Sequence, residues 1–157
     1  MVTQRQVDEV VAKYVPEEYK PGGLVAYKMA PELAFYNLCK SWGKQPLDDK
    51  FIGALIFDIN EIEKTVGIRP AKEDFVVYIN EAITNEDKLT FIVLHEVGHL
   101  HWQLKRSELT RWSDDKEELH SDFYAFERIV EVAGMEKAIS VLQKVNGSIN
   151  GFGAVSG

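Results

Sequence analysis

Cysteine, long apolar runs and positive charge are all scarce in this sequence. The single cysteine, Cys39, excludes an internal disulfide framework and is typical of a reducing compartment. No stretch approaches the roughly 18 consecutive apolar residues that cross a bilayer, so we expect no membrane span and no membrane partner. Lys and Arg number 18 against 25 Asp and Glu, and the net charge of −7 argues against direct nucleic-acid binding. The first six residues lack the basic and then apolar layout of a secretion signal, and we expect a cytoplasmic protein.

The remaining composition is that of a soluble globular domain. The chain has 157 residues, of which 45% are hydrophobic and 27% charged, which is too apolar for a disordered chain. This length suits one domain with its own core. Residues 146–157 are rich in Gly and Ser. We therefore predict a single domain over residues 1–145 and a C-terminal tail over residues 146–157.

The spacing of apolar residues predicts a mostly helical α+β protein with a small β-sheet. Residues 51–66 are ambiguous, because FIGALIF resembles a strand whereas the apolar residues from Ile52 to Val66 recur at intervals of three and four. We favour a helix for this segment. The predicted helices span about residues 4–14, 31–43, 51–66, 85–104, 114–132 and 135–145, and the predicted strands span 24–29 and 74–79. Capping residues mark the starts of three of these helices: Thr3 with Gln6 for helix 4–14, Thr84 or Asn85 for helix 85–104, and Ser113 or Asp114 for helix 114–132.

A zinc-binding pattern, HExxH, lies within the predicted helix 85–104. Residues four apart project from the same face of a helix, so His95 and His99 can hold one zinc ion at about 2.0–2.1 Å. Glu96, next to that face, can take a proton from a zinc-bound water and later deliver it to a leaving amine. The motif stands among apolar residues of the segment 91–100, where an unpaired polar group would be costly. The pattern predicts a hydrolytic zinc site with Glu96 as its base.

A catalytic zinc needs a third protein ligand, and it should come from another element. The predicted helix 114–132 carries the candidates. His120 and Asp122 flank its apolar ridge on opposite sides, and we favour His120 as the third ligand. Glu117, Glu118 and Asp122 are the alternatives, although the first two also suit a helix first turn, where carboxylates favour the dipole. Asp122 could instead accept a hydrogen bond from the far nitrogen of a ligating imidazole.

Four segments follow the order of motifs in one family of zinc peptidases. They are VYIN at 77–80, Phe91, HEVGHL at 95–100 and HSDFYA at 120–125. Over residues 75–126, about a third of the chain, the sequence resembles the ImmA/IrrE family of zinc metallopeptidases, found in mobile elements, including phages, and in bacterial stress regulation. The resemblance implies a zincin-like domain with a small sheet packed beside the HExxH helix.

The resemblance also implies roles for individual residues. It makes His95 and His99 ligands of one Zn²⁺ ion and Glu96 the catalytic base. It puts Asp122 and Tyr124 on the family's Asp/Asn and aromatic positions, near the metal or the substrate. The chain departs from the family at the third ligand, where the family has Glu and this chain has His120. A neutral ligand there would leave one negative charge fewer and make the metal a stronger Lewis acid.

These observations favour a zinc-dependent metallopeptidase. The resemblance implies a protein or peptide substrate such as a transcriptional repressor, and the substrate backbone should pair with the edge of the strand at 74–80. Tyr124 is the candidate for stabilising the oxyanion. Two alternatives remain: a zincin-like protein that binds a regulator without cleaving it, and a zinc amidase with a small-molecule substrate, which an enclosed pocket would favour. The sequence does not predict an oligomeric state.

Overall fold

The computed structural model describes residues 1–41, 51–105 and 114–149. These residues form six α-helices, one short 3-10 helix at Glu17–Tyr19 and three β-strands. In chain order the helices are α1 (Gln4–Tyr14), α2 (Glu32–Ser41), α3 (Ile59–Val66), α4 (Glu86–Leu104), α5 (Asp114–Ala133) and α6 (Met135–Ile149), and the strands are β1 (Val25–Ala30), β2 (Ala54–Asp58) and β3 (Phe75–Asn80). The prediction of a mostly helical α+β fold with a small sheet is therefore confirmed.

The sheet has the strand order β1-β3-β2, so β3 is its central strand. β1 runs parallel to β3, and its Tyr27 lies opposite Val77. β2 runs antiparallel on the other side, where Ile56 lies opposite the same Val77. Both edges of β3 are thus paired within the chain. The prediction that a substrate backbone adds to the strand at 74–80 is wrong, because that strand has no free hydrogen-bonding edge.

The sheet separates two apolar clusters, because successive side chains of a strand point to opposite faces. One face, which includes Tyr27 and Val77, packs against α1, α4, α5 and α6 in the larger cluster. The other face, which includes Leu55 and Val76, packs against α2 and α3, and Cys39 is buried on that side. The HExxH helix α4 therefore lies beside the sheet, with α5 as its partner on the other side of the motif.

Gly98 allows α4 and α5 to approach each other closely. A Cβ atom at this position would lie 2.8 Å from the Cα of Ser121 and 3.1 Å from its carbonyl oxygen. Such contacts with backbone are too short for any residue with a side chain, so the crossing requires glycine. The glycine inside the HExxH motif thus sets the separation of the two helices that carry the candidate ligands.

Several helices and strands begin and end where the sequence predicts. α1 begins after Thr3, whose side chain accepts a hydrogen bond from the backbone N–H of Gln6 in the expected capping box. α4 begins after Asn85, whose side chain accepts from the backbone N–H of Lys88. β1 and β3 coincide with the two predicted strands to within one residue at each end. Local capping and apolar pattern are therefore sufficient to locate these elements.

The prediction of one helix over residues 51–66 is wrong for its first half. Ala54–Asp58 form β2, and Asp58 then caps α3 by accepting a hydrogen bond from the backbone N–H of Asn60. α3 ends at Gly67, which has a φ of 82°, a left-handed conformation that glycine adopts without steric cost. Pairing with β3 determines the conformation of the first half. It supplies hydrogen bonds to the backbone N–H and C=O groups, which in a helix would bond to each other.

Three predictions fall on residues outside the described part of the chain: the helix end at Gly43, the cap at Ser113 and residues 150–157 of the tail. Residues 146–149, which were assigned to the tail, form the end of α6. Among the described helices, none has the length and hydropathy required to cross a membrane.

Candidate metal centre

Two histidines of α4 direct one ring nitrogen towards each other. His95 is 1% exposed, and its ring stacks on that of Phe91 at a centroid distance of 6.2 Å. His99 lies one turn further along the same face and is partly buried. The Nε2 atoms of the two histidines are 3.1 Å apart. The helix therefore holds two potential metal-binding nitrogens at one point beside α5.

Glu118 of α5 completes this group. Its Oε2 lies 3.3 Å from Nε2 of His95, and its Oε1 lies 3.2 Å from Nε2 of His99. The carboxylate faces both imidazoles because α5 crosses α4 closely at Gly98. His95, His99 and Glu118 form a group that could hold a metal ion.

The donor atoms fit a small tetrahedral cation. Zinc bonds of 2.0–2.1 Å in tetrahedral geometry place neighbouring ligand atoms about 3.3–3.4 Å apart. The two imidazole nitrogens are 3.1 Å apart, and each faces a different oxygen of the Glu118 carboxylate, Oε2 at 3.3 Å from His95 and Oε1 at 3.2 Å from His99. Two imidazoles and one carboxylate are also a donor set that zinc accepts, and they leave a fourth position for a water or a substrate. The donor set thus suits zinc in its chemistry, and one ligand atom from each of the three residues lies within 4.8 Å of the other two.

The second ring nitrogen of each histidine faces a carboxylate of α5. Nδ1 of His95 lies 2.8 Å from Oδ1 of Asp122, and Nδ1 of His99 lies 2.6 Å from Oε2 of Glu117. Nδ1 of His99 has hydrogen-bond geometry with Glu117, so a proton there leaves the lone pair on Nε2, where a metal can use it. Nδ1 of His95 lies within ion-pair distance of Asp122 but does not form a hydrogen bond with it. The structure thus brings Asp122 to the far nitrogen of a candidate ligand. Glu117 does the same for the other imidazole, a role that the sequence analysis did not identify.

The carboxylates make the centre attractive to positive charge. Burial alone would lower the pKa of His95, but its contacts with Asp122 and Glu118, together with the charge of Glu96, raise it to about 9. Burial also opposes the charged form of His99, and Glu118 and Glu96 again reverse the effect and raise its pKa. Both pKa shifts have the same cause, an excess of negative charge around the two imidazoles. A bound cation would neutralise that excess.

Glu96 lies at the edge of this group. It follows His95 directly in α4 and is buried. Its negative charge contributes to the raised pKa values of both His95 and His99, so the carboxylate is within electrostatic reach of both rings. The structure therefore keeps the predicted base beside the candidate metal ligands.

The structure does not bring His120, the favoured third ligand, to this group. Its Nε2 atom lies 3.0 Å from Nδ1 of His101, and its ring stands against that of Trp102 at a centroid distance of 5.4 Å. His120 comes two residues after Glu118, which turns it about 200° around the helix axis and away from the Nε2 pair. Burial and the nearby charges of His101 and His99 lower the pKa of His120. The third member of the group is Glu118, one of the alternatives.

Tyr124 belongs to the same aromatic group as His120. Its ring lies 5.2 Å from that of His101 and 6.3 Å from that of His120 between centroids. Burial raises the pKa of its hydroxyl above the ordinary value, so the hydroxyl stays protonated at neutral pH. Tyr124 therefore lies beside the histidine pair His101 and His120.

Comparisons with known proteins identify no relative of this chain: no family model, no curated protein and no solved structure matches it.

Proposed function

We propose that this protein is a zinc-dependent metallopeptidase of the ImmA/IrrE type. The observation that carries the proposal is the convergence of Nε2 of His95, Nε2 of His99 and the carboxylate of Glu118 at separations of 3.1 to 3.3 Å, directly beside the buried Glu96. A carboxylate third ligand agrees in residue type with that family, which has Glu as its third ligand, but Glu118 lies two residues before the position that aligns with the family's Glu.

The residues of the centre divide the chemistry between them. His95, His99 and Glu118 would hold the zinc ion, and when bound it would supply Lewis-acid activation of a peptide carbonyl and of a water molecule. Glu96 is not a metal ligand in this scheme, so its carboxylate is available as the general base. It accepts the proton of the attacking water and then donates that proton to the nitrogen of the leaving amine. Asp122, 2.8 Å from Nδ1 of His95, would help to hold that imidazole with its Nε2 available to the metal.

An extended substrate would pair with the outer edge of β2. The edge of β1 is already used by Gln4, whose side chain accepts from the N–H of Met29 and donates to the carbonyl of Tyr27. No described strand pairs with the outer edge of β2. The residue just before the strand, Gly53, lies against the HExxH helix, since a Cβ there would meet the side chain of Ile92, one turn before Glu96. Strand addition at β2 would therefore bring a peptide alongside the centre.

Hydrogen bonding along β2 identifies the groups that a peptide could use. The backbone of Gly53 accepts from Asn80, and that of Ile59 donates to Asp74, so these positions face β3. Pairs alternate along an antiparallel ladder, which turns the N–H and C=O groups of Ala54, Ile56 and Asp58 outwards. Ala54 is only 1% exposed, whereas Ile56 and Asp58 are partly exposed, so the groups open to an extended chain are those of Ile56 and Asp58. A regulatory protein as the natural substrate rests on the resemblance alone.

The first prediction separates catalysis from metal binding. Glu96→Gln should abolish peptide cleavage and retain one zinc per chain, because it removes the base and leaves all three ligands. Zinc content is measured by mass spectrometry of the metal, and cleavage by mass spectrometry of a degenerate peptide library incubated with the zinc-loaded protein. Glu127→Gln, an exposed substitution on α5, is the matched control and should cleave the library like the wild type.

Two results would contradict the proposal. If the wild-type protein binds zinc but leaves the library intact, the binding alternative is supported instead of the peptidase. If Glu96→Gln cleaves as fast as the wild type, Glu96 is not the base and the mechanism is wrong.

A further inference from the structure

We propose that Glu117 is a positioning residue that holds His99 in its metal-binding orientation, and this inference rests on the metal centre of the proposed function. Oε2 of Glu117 lies 2.6 Å from Nδ1 of His99, on the opposite side of the imidazole from Nε2. Glu118, the next residue, faces Nε2 of the same ring at 3.2 Å. Two consecutive carboxylates of α5 thus contact the two ring nitrogens of one histidine.

The contact assigns a specific tautomer to His99. A carboxylate only accepts hydrogen bonds, so an Nδ1 atom at 2.6 Å must carry the proton. The neutral ring then has its lone pair on Nε2, directed at Nε2 of His95 and at Glu118. Without Glu117 the ring is free to rotate or to exchange tautomer, and both changes remove the nitrogen from the metal. Glu117 cannot bind the same metal as Nε2, because its oxygen contacts the far side of the ring.

The two histidines differ in how firmly their partners are held. Asp122, the partner of His95, has a side chain that is 1% exposed, whereas the side chain of Glu117 is 22% exposed. His99 is likewise more exposed than His95, at 14% against 1%. The buried pair is fixed by packing, so the more exposed pair depends on its hydrogen bond for orientation. Metal affinity should therefore respond to Glu117 although this residue is not a ligand.

The test compares three variants of α5 by zinc affinity, measured by competition with a chelator. Glu117→Ala should raise the zinc dissociation constant by about 10- to 100-fold, the usual effect of removing a carboxylate behind a ligating histidine. Glu117→Gln should restore part of the affinity, because its amide oxygen can still accept from Nδ1. Glu127→Ala, exposed on the same helix, is the matched control and should match the wild type.

A spectroscopic measurement distinguishes orientation from general damage to the fold. In zinc-loaded protein labelled with ¹⁵N-histidine, the Nδ1–H signal of His99 should shift upfield and exchange faster with water in Glu117→Ala. The Nδ1–H signal of His95 should stay unchanged, since its partner Asp122 is intact.

The outcomes separate this inference from the function on which it rests. If the wild type binds zinc and Glu117→Ala binds it within twofold of the wild type, Glu117 does not position His99 and the inference is overturned. If Glu117→Ala loses stoichiometric zinc as completely as Glu118→Ala, Glu117 acts as a ligand and the inference is again overturned. If the wild type itself binds no zinc, the proposed function fails first, and the inference fails with it.

Discussion

Charge at single residues gives the candidate centre its preference for a cation. Glu96, Glu117, Glu118 and Asp122 surround the imidazoles of His95 and His99. Burying several like charges is unfavourable unless a counter-charge accompanies them. Protons on the imidazoles supply part of that charge, and a divalent cation supplies it with better geometry, because the Nε2 atoms and the Glu118 carboxylate already converge. The centre could therefore hold a metal ion, and its negative charge would repel an anionic ligand.

The identity of the third ligand yields a prediction on two neighbouring residues. Glu118→Ala should lose stoichiometric zinc, because two imidazoles alone make a weak site. His120→Ala should keep one zinc per chain, because the ring of His120 lies against His101 and Trp102 and not against the Nε2 pair. The measurement is the zinc content of each purified variant after dialysis against a metal-free buffer.

Thermal unfolding followed by circular dichroism in the presence of a chelator shows whether both variants are folded. Glu118→Gln serves as a control of similar volume and should also bind zinc poorly. The reverse pattern, with zinc lost in His120→Ala and kept in Glu118→Ala, would restore His120 as the third ligand.

The spacing of Glu118 and Asp122 in the sequence points to Glu118 as the third ligand, but the preference of zinc for histidine favours His120 instead. Glu118 and Asp122 are four apart, so they share a face of α5 just as His95 and His99 share a face of α4. The sequence analysis favours His120 as the third ligand because histidine is a common zinc ligand and this one lies beside the apolar ridge of its helix. Which face of α5 meets α4 depends on the close crossing at Gly98, and a tertiary contact of this kind cannot be derived from the periodicity of one helix.

At the level of elements, the crossing of α4 and α5 determines whether the centre can form. Each helix alone carries only half of the group: the imidazoles on one, and their carboxylate partners on the other. The backbone of Ser121 lies so close to Gly98 that a Cβ at that position would be 2.8 Å from its Cα. The separation of the two helices, and with it the distance from Glu118 to the histidines, is therefore sensitive to one glycine.

Gly98→Ala should weaken both the fold and the metal site. Overpacking at such a crossing costs about 1–3 kcal/mol, which outweighs the roughly 1 kcal/mol that alanine gains over glycine in a helix. Because the contacted atoms belong to the backbone, α5 must shift as a whole, and Glu118 moves away from the Nε2 pair. Urea unfolding measures the stability and chelator competition measures the zinc affinity.

Gly23→Ala is the matched control, since a Cβ there would have only the carbonyl oxygen of Lys20 nearby, at 3.9 Å. It should leave zinc affinity unchanged. Zinc affinity equal to the wild type in Gly98→Ala would show that the helix crossing does not set the geometry of the centre.

The segment at 51–66 shows where prediction of elements from sequence fails. Its apolar residues do recur at helical intervals, but the first half alternates across a sheet: Leu55 and Phe57 face α2 and α3, while Ala54 and Ile56 face the larger cluster. A five-residue strand is too short for period two to be distinguished from helical spacing. Pairing with β3, a segment about twenty residues away, resolves the ambiguity, and no local pattern contains that information.

For the molecule as a whole, ion pairs connect the C-terminal helix to the start of the HExxH helix. Asp87, in the first turn of α4, contacts the ammonium groups of Lys137 and Lys144, both on α6. Burial would raise the pKa of Asp87, but hydrogen bonds from the two lysines outweigh it and lower the pKa below its usual value. The N-terminal end of α4 thus depends on α6 for part of its stability, over fifty residues later in the chain.

Asp87→Asn should therefore destabilise the protein in a pH-dependent way. Because the pKa of Asp87 is lower in the folded than in the unfolded chain, its ionised form stabilises the fold above about pH 4. That contribution is lost as the pH falls through the lowered pKa. The difference in unfolding free energy between wild type and variant should be about 1 kcal/mol at pH 7, since both lysines are partly exposed, and should decrease as the pH falls through the lowered pKa of Asp87. Urea unfolding in the presence of a chelator measures this difference without a contribution from the metal.

Glu86→Gln separates the lysine contacts from the helix dipole. Glu86 is an exposed carboxylate in the same first turn of α4, so it shares the dipole interaction. Its substitution should cost less than that of Asp87, about 0.5 kcal/mol or below at pH 7. If the two variants lose the same free energy, the hydrogen bonds from the lysines to Asp87 contribute nothing beyond the dipole of α4 and the longer-range attraction to Lys137 that Glu86 shares. In that case α6 would be held against α4 mainly by its apolar contacts, with Ala138, Val141 and Val145 buried in the larger cluster.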